Sequence, residues 1–212
     1  MFTKSNPSGY PKDTDHYHLE IQNFESHWKN HPNPEVDLCV MSIMPLINYA
    51  HTSGNELFFI PLDKSLIPTN SQLKDLKALE DVIMMGYPNG IWDRVNNKPI
   101  FRKGITATHP YNNYDGKEEF MIDAACFPGS SGSPVFLLNE GSYQDRQGNT
   151  YMGQTRIFLL VILYAGPQHT ITGEIEIIDI PTSDTAVPIS RIPNNLGLII
   201  KSSRINELEG LF

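Results

Sequence analysis

Asp123-Ala124-Ala125-Cys126-Phe127-Pro128-Gly129-Ser130-Ser131-Gly132-Ser133-Pro134-Val135 is the stretch that decides the fold. Gly129, Gly132 and the two prolines force a tight loop directly before an apolar strand. A hydroxyl nucleophile needs such a loop. Its oxygen must project into a cleft, and neighbouring backbone N–H groups must point at the oxygen that becomes negative in the reaction. Gly129 has no Cβ to stop its amide turning that way. The pattern therefore assigns Ser131 as the nucleophile, with the Gly129 and Ser131 amides as the oxyanion hole. An ordinary Gly/Ser/Pro turn between strands is the plainer reading. The apolar flanks, and the small residues Ala124 and Ala125 just ahead of the loop, favour the site. It is not the Gly-x-Ser-x-Gly elbow of another hydrolase class, because position 133 is Ser.

Outward from this loop the chain reads as many short apolar runs separated by turns. Strands are expected at Val82–Met85, Ile100–Thr108, Glu119–Ile122, Pro134–Leu138, Ile157–Tyr164, Ile171–Ile180 and Leu196–Lys201. Earlier, His16–Ile21 alternates like a strand with one wet face. Val36–Met44 reads as a buried strand and Leu57–Leu62 as a short one. Asn70 or Ser71 is expected to cap a helix running through Glu80, and Ser203–Leu211 has helical spacing. The expected organisation is a partial β-barrel lobe over 1–70, a connector helix over 71–80 and a second β-barrel lobe over 81–212.

The formal charge is −8 and there is no Lys/Arg cluster, which argues against a nucleic-acid partner. Two cysteines, Cys39 and Cys126, fall in different motifs and read as reduced, buried thiols. The N-terminus has no apolar core of a secretory signal, and no apolar run is long enough to span a bilayer. The expectation is a soluble, cytoplasmic chain with no membrane association, no metal and no cofactor.

Asp123–Val135 resembles the active-site segment of the trypsin-like serine peptidases, especially the HtrA-type branch, departing from it at Ser133. Val82-Ile83-Met84-Met85-Gly86-Tyr87-Pro88-Asn89-Gly90 resembles the family's strand ending in Gly-x-Pro-x-Gly. Arg102-Lys103-Gly104-Ile105-Thr106 resembles the strand that follows, and Leu196–Ile200 resembles the C-terminal end. The likeness runs from Asp81 onward, with an insertion near Asn139–Gly153. It implies a mostly all-β, chymotrypsin-like double β-barrel with an incomplete first barrel, a connector helix and a short C-terminal helix.

The same resemblance gives Pro34-Glu35-Val36-Asp37-Leu38-Cys39-Val40 as the triad-aspartate segment. A carboxylate opening an apolar strand is costly unless paired, and a partner imidazole would pair it. The plainer reading is a turn aspartate. The family's histidine lies upstream of the aspartate, at a place that falls near Pro7, where there is none. His16, His18, His27 and His31 lack the family's small apolar lead-in, and His51, His109 and His169 follow Asp37 in the wrong order. Two readings stay open. Either the chain is truncated ahead of the histidine-bearing strands, or the domain has lost its base.

The resemblance also places the specificity pocket at Ala124, Ala125 and Cys126, opposite Tyr164, Ala165 and Gly166. None of these six carries a charge, so pairing with a substrate Lys or Arg is not expected. Ser130 stands where relatives activated by cleavage carry an aspartate, so no such switch is expected. The function implied is a serine endopeptidase acting on polypeptides through an acyl-enzyme on Ser131, or a degenerate member of the family. The alternative is a pseudo-peptidase that grips an extended peptide by strand addition. A thiol nucleophile at Cys126 or Cys39 is a more distant possibility, since neither lies in the oxyanion loop.

Overall fold

The computed structural model describes residues 1–127, 129–166, 168–172, 189–193 and 195–211. Its centre is a closed six-stranded antiparallel barrel in the order β11-β14-β7-β6-β5-β8. The strands are β5 (Asp81–Gly86), β6 (Ile100–Thr106), β7 (Glu119–Asp123), β8 (Pro134–Asn139), β11 (Arg156–Ala165) and β14 (Leu196–Lys201). Six of the expected strands are these six. The seventh, Ile171–Ile180, begins within β12 (Gln168–Thr172), which pairs with β13 (Ile189–Pro193), and its residues 173–180 lie outside the described residues.

Alternation explains why these runs close on themselves. Val82 and Met84 of β5, Phe120 and Ile122 of β7, Val135 and Leu137 of β8 and Ile199 of β14 fill the barrel interior with Leu160 and Leu163 of β11. Burying each such side chain stabilises the fold by about 1.5–3 kcal/mol. β11 is irregular at Leu159/Val161 and again at Leu163/Ala165, so it bends on either side of Ile162–Leu163. Val161, at φ 121, carries the first bend, an unusual conformation for a β-branched residue.

The connector differs from expectation. Helix α2 spans only Asn70–Lys74, and its cap is Thr69, in a reciprocal capping box with Gln72. The continuation toward Glu80 is not helical. Instead Leu73 and Leu76 plug one side of the barrel core. Glu80, 3% exposed, turns inward and binds Arg156, 9% exposed, at 2.9 Å. Packing and this buried pair override the helical periodicity of the segment.

Residues 1–69 add no strand to the barrel. β1 (Phe2–Ser5) and β2 (Pro11–Tyr17) form a hairpin, and β3 (Lys29–Asn30) pairs with β4 (Cys39–Val40). The expected strand at Val36–Met44 is cut to Cys39–Val40, and helix α1 (Met44–Thr52) starts at its end, with Pro45 in the first turn. Leu57–Leu62 makes only a bridge from Leu57 to Lys4. Even so, Leu38, with Val36 and Val40, packs on Ile162, Tyr164 and Ile200 of the barrel wall, together with Leu208 of the closing 3₁₀ segment Ser202–Leu211. The insertion after β8 is a hairpin of β9 (Ser142–Gln144) and β10 (Thr150–Met152), with Tyr143 stacked on Tyr151.

Candidate active site

The loop between β7 and β8 is held by short-range bonds. Ser130 N–H donates to Phe127 O at 3.0 Å and Ser133 N–H to Ser130 O at 3.1 Å. Two bonds tie the loop to β11, from Gly132 N–H to Leu163 O and from Leu163 N–H to Ser133 O. Gly129 sits at φ 80. A Cβ there would lie 3.2 Å from Asn89 N and 3.3 Å from Tyr87 O. The turn after β5 is thus pressed against the loop, and only glycine fits without strain. Among the described residues, neither the Gly129 nor the Ser131 amide donates to an acceptor.

Ser130 is buried, and its hydroxyl has no partner among the described residues. Ser131 is exposed. Its hydroxyl donates to Tyr164 O at 3.1 Å. Tyr164 O is therefore the point at which Ser131 is tied to β11. Its phenol is pushed up to about 12, first by burial, then by the hydrogen bond and charge of Glu119, and then by the charge of Asp37. Asp37 thus acts through its charge, the weakest of these causes, on the residue whose carbonyl accepts from Ser131. Asp37 itself is exposed, and among the described residues it makes no ion pair. The desolvation that called for a partner imidazole is absent.

No described imidazole is hydrogen-bonded to Ser131. His16 Nε2 meets Val95 O, and His27 Nε2 meets Gln22 O. His51 pairs with Glu56, and His109 Nε2 meets Leu76 O. His31 is buried; its Nδ1 accepts from Asn33 N–H and its Nε2 lies 3.4 Å from a Glu207 carboxylate oxygen. His18 is exposed and, among the described side chains, the one histidine ring with no polar partner. The side chain of His169 lies outside the described residues.

Ala124 and Cys126 are buried and Ala125 is half-buried. Gly104 of β6 packs so closely on this wall that a Cβ would meet Ala124 Cβ at 2.6 Å and Asp123 O at 2.4 Å. Cys126 Sγ fills the space over Gly197. Burial pushes the Cys126 thiol up to about 11, with Arg102 acting against the rise and Asp123 adding to it. A thiol so placed stays protonated at neutral pH, which removes it as a nucleophile. Cys39, expected to be buried, is exposed, and both thiols are free. Tyr164 and Ala165, at the end of β11, are half-buried, and Gly166 just beyond it is exposed.

Sequence reading missed Arg102 as a neighbour of this wall. The signal was there, since Arg102 and Gly104 are two apart on one strand and share a face. The Arg102 guanidinium lies over the Phe127 ring at 4.9 Å. Among the described residues no group of three or more His, Cys, Asp or Glu is arranged to hold a metal ion. No described helix is long and apolar enough to cross a membrane.

No curated protein and no solved structure gives a significant match to the chain. The family model for the trypsin-like peptidase domain matches residues 13–143. That span is more than half of the chain and takes in Asp37, β5 to β8 and the whole nucleophile loop. With a closed antiparallel barrel behind that loop, the chain belongs to the trypsin-like peptidase domain family.

Proposed function

We propose that this chain is a serine-type peptidase domain acting on polypeptides, with Ser131 as nucleophile and the Gly129 and Ser131 amides as its oxyanion hole. The observation that carries this reading is the loop itself. Gly129 at φ 80, two uncommitted amides and the exposed Ser131 lie in the one loop that joins β7 to β8. Attack by Ser131 Oγ on a peptide carbonyl, with its proton passing to solvent water, would give a tetrahedral oxyanion facing those amides. The leaving nitrogen would take a proton back from water and depart as the amine, leaving an acyl-enzyme that a second water hydrolyses to the acid and free Ser131. Asp37, beside Tyr164, is the acid of this arrangement. Ala124, Ala125 and Cys126 form one wall of the primary pocket, and Tyr164, Ala165 and Gly166 the other. Within the family the chain resembles the HtrA-type branch, with an N-terminal lobe over 1–70, a connector over 71–80 and a C-terminal barrel lobe over 81–212. The free, exposed Cys39 suits a reducing compartment such as the cytoplasm.

One observation favours a second reading, a pseudo-peptidase that holds an extended peptide without cutting it. Ser131 spends its hydroxyl proton on Tyr164 O, not on a base. A serine without a base in reach is a poor nucleophile. We expect slow turnover of a small-residue peptide ester, abolished in Ser131→Ala. Variants His16→Ala, His18→Ala, His27→Ala and His31→Ala locate any base, and His18 is the ring free to move. Brisk turnover lost in one of these four would show that the base is present. Turnover that survives Ser131→Ala would end the nucleophile assignment.

A further inference from the structure

Arg102 carries an unpaired charge beside the nucleophile loop. Along β6, Ile100, Arg102, Gly104 and Thr106 are the less exposed residues, while Phe101, Lys103 and Ile105 face out. Gly104 packs on Ala124. Arg102 is one step nearer the end of the barrel where β5 finishes at Gly86, the glycine that abuts Ser133 Oγ. From there its guanidinium covers the Phe127 ring, and its charge acts on the Cys126 thiol. It therefore stands over Phe127, in the loop that carries Ser131, two residues along β6 from the glycine that packs on Ala124.

One of its donors is not satisfied. Nη1 is shut off from solvent and has no acceptor among the described residues. No described carboxylate forms an ion pair with Arg102, and Asp123, whose charge also acts on Cys126, does not reach it. The buried Arg and Lys side chains among the described residues are met. Arg156 binds Glu80 and Asn139, and Lys201 binds Tyr111 O and Asn113. A guanidinium nitrogen closed to solvent with no acceptor is costly, and the Phe127 ring offsets only part of that cost. A planar fork of N–H donors is complementary to a carboxylate.

We propose that Arg102 makes the pocket beside Ser131 a site for an acidic side chain, so that the chain takes extended polypeptides with Asp or Glu at the position that enters it. This rests on reading the loop as a peptidase site. The test uses the Ser131→Ala chain, so that peptides are held uncut, and fluorescence anisotropy with labelled peptides. Three amidated peptides differ only in one central residue, Glu, Gln or Lys. A fourth is the Gln peptide with a free C-terminal carboxylate.

The Glu peptide should bind more tightly than the Gln peptide by about tenfold to a hundredfold, the worth of a charge-assisted pair. The Lys peptide should bind most weakly. Adding Arg102→Met should erase the difference between Glu and Gln, and Arg102→Lys should keep part of it. Because Arg102→Met removes an unmet donor, its melting temperature should not fall, which separates lost recognition from lost folding. Equal binding of Glu and Gln peptides overturns the proposal. So does a preference that survives Arg102→Met, or no binding at all. A free-acid Gln peptide that matches the Glu peptide also overturns it, since the site would then read a chain terminus. Labelling of wild-type Ser131 by a phosphonofluoridate without a Glu preference removes only the Arg102 assignment. A Glu preference with the label on another residue removes only the nucleophile reading.

Discussion

Gly129 is the residue on which the loop depends. Any side chain there meets both a left-handed backbone and a wall made by Asn89 N and Tyr87 O. Gly129→Ala is expected to destabilise the chain by about 1–2 kcal/mol from backbone strain alone. Urea unfolding measures it, and an unchanged midpoint would mean that the loop rests elsewhere. The two thiols give a second residue-scale expectation. At pH 8 iodoacetamide should modify exposed Cys39 in the native chain and spare Cys126 until the chain is unfolded. The Cys126 proton also couples to stability. The thiol ionises near 9.0 ordinarily and near 11 in the fold. The folded chain keeps a proton that the unfolded chain loses. This contribution is therefore complete below pH 9 and is lost as the pH rises from 9 to 11. A stability flat across that window would contradict the burial of Cys126.

At the scale of elements, the barrel strands were legible because their alternation and turn punctuation agree with their tertiary role. Val82 and Met84 point inward with the period expected of β5, and Pro134–Asn139 begins where the loop ends. The connector was not legible. Leu73, Leu76 and Glu80 look like positions on one helix, but two plug the core and the third pairs with Arg156 from seventy-six residues away. No local pattern encodes a partner at that distance. Glu80→Ala should therefore cost far more than an exposed ion pair would, about 3–5 kcal/mol, because it strands a buried guanidinium. Thermal or urea unfolding decides this. A loss below about 1 kcal/mol, the range of a surface pair, would show that Arg156 finds another partner or water.

For the whole molecule, the nucleophile half was readable because glycine, serine and proline at fixed offsets have few backbone solutions. The first seventy residues were harder. Val36–Met44 is apolar enough for a strand, yet Pro45 opens α1 at its end and only Cys39–Val40 pairs. What that segment does instead is pack Val36, Leu38 and Val40 on the barrel, which leaves Asp37 exposed. Its role comes from where it docks, and docking is a property of the assembled surface. The absence of an imidazole at Ser131 among the described side chains sets the expected activity low, since the attacking hydroxyl lacks its proton acceptor. The loop and its amides do not depend on that base.

Covalent labelling isolates Ser131 from the question of turnover. The wild-type chain and Ser131→Ala are incubated with a peptidyl phosphonofluoridate, and the adduct is mapped by mass spectrometry of the digested protein. The expected result is a single, slowly formed adduct on Ser131 that is absent from Ser131→Ala. An adduct on any other residue, or the same labelling in both chains, would contradict the assignment of Ser131 as the nucleophile.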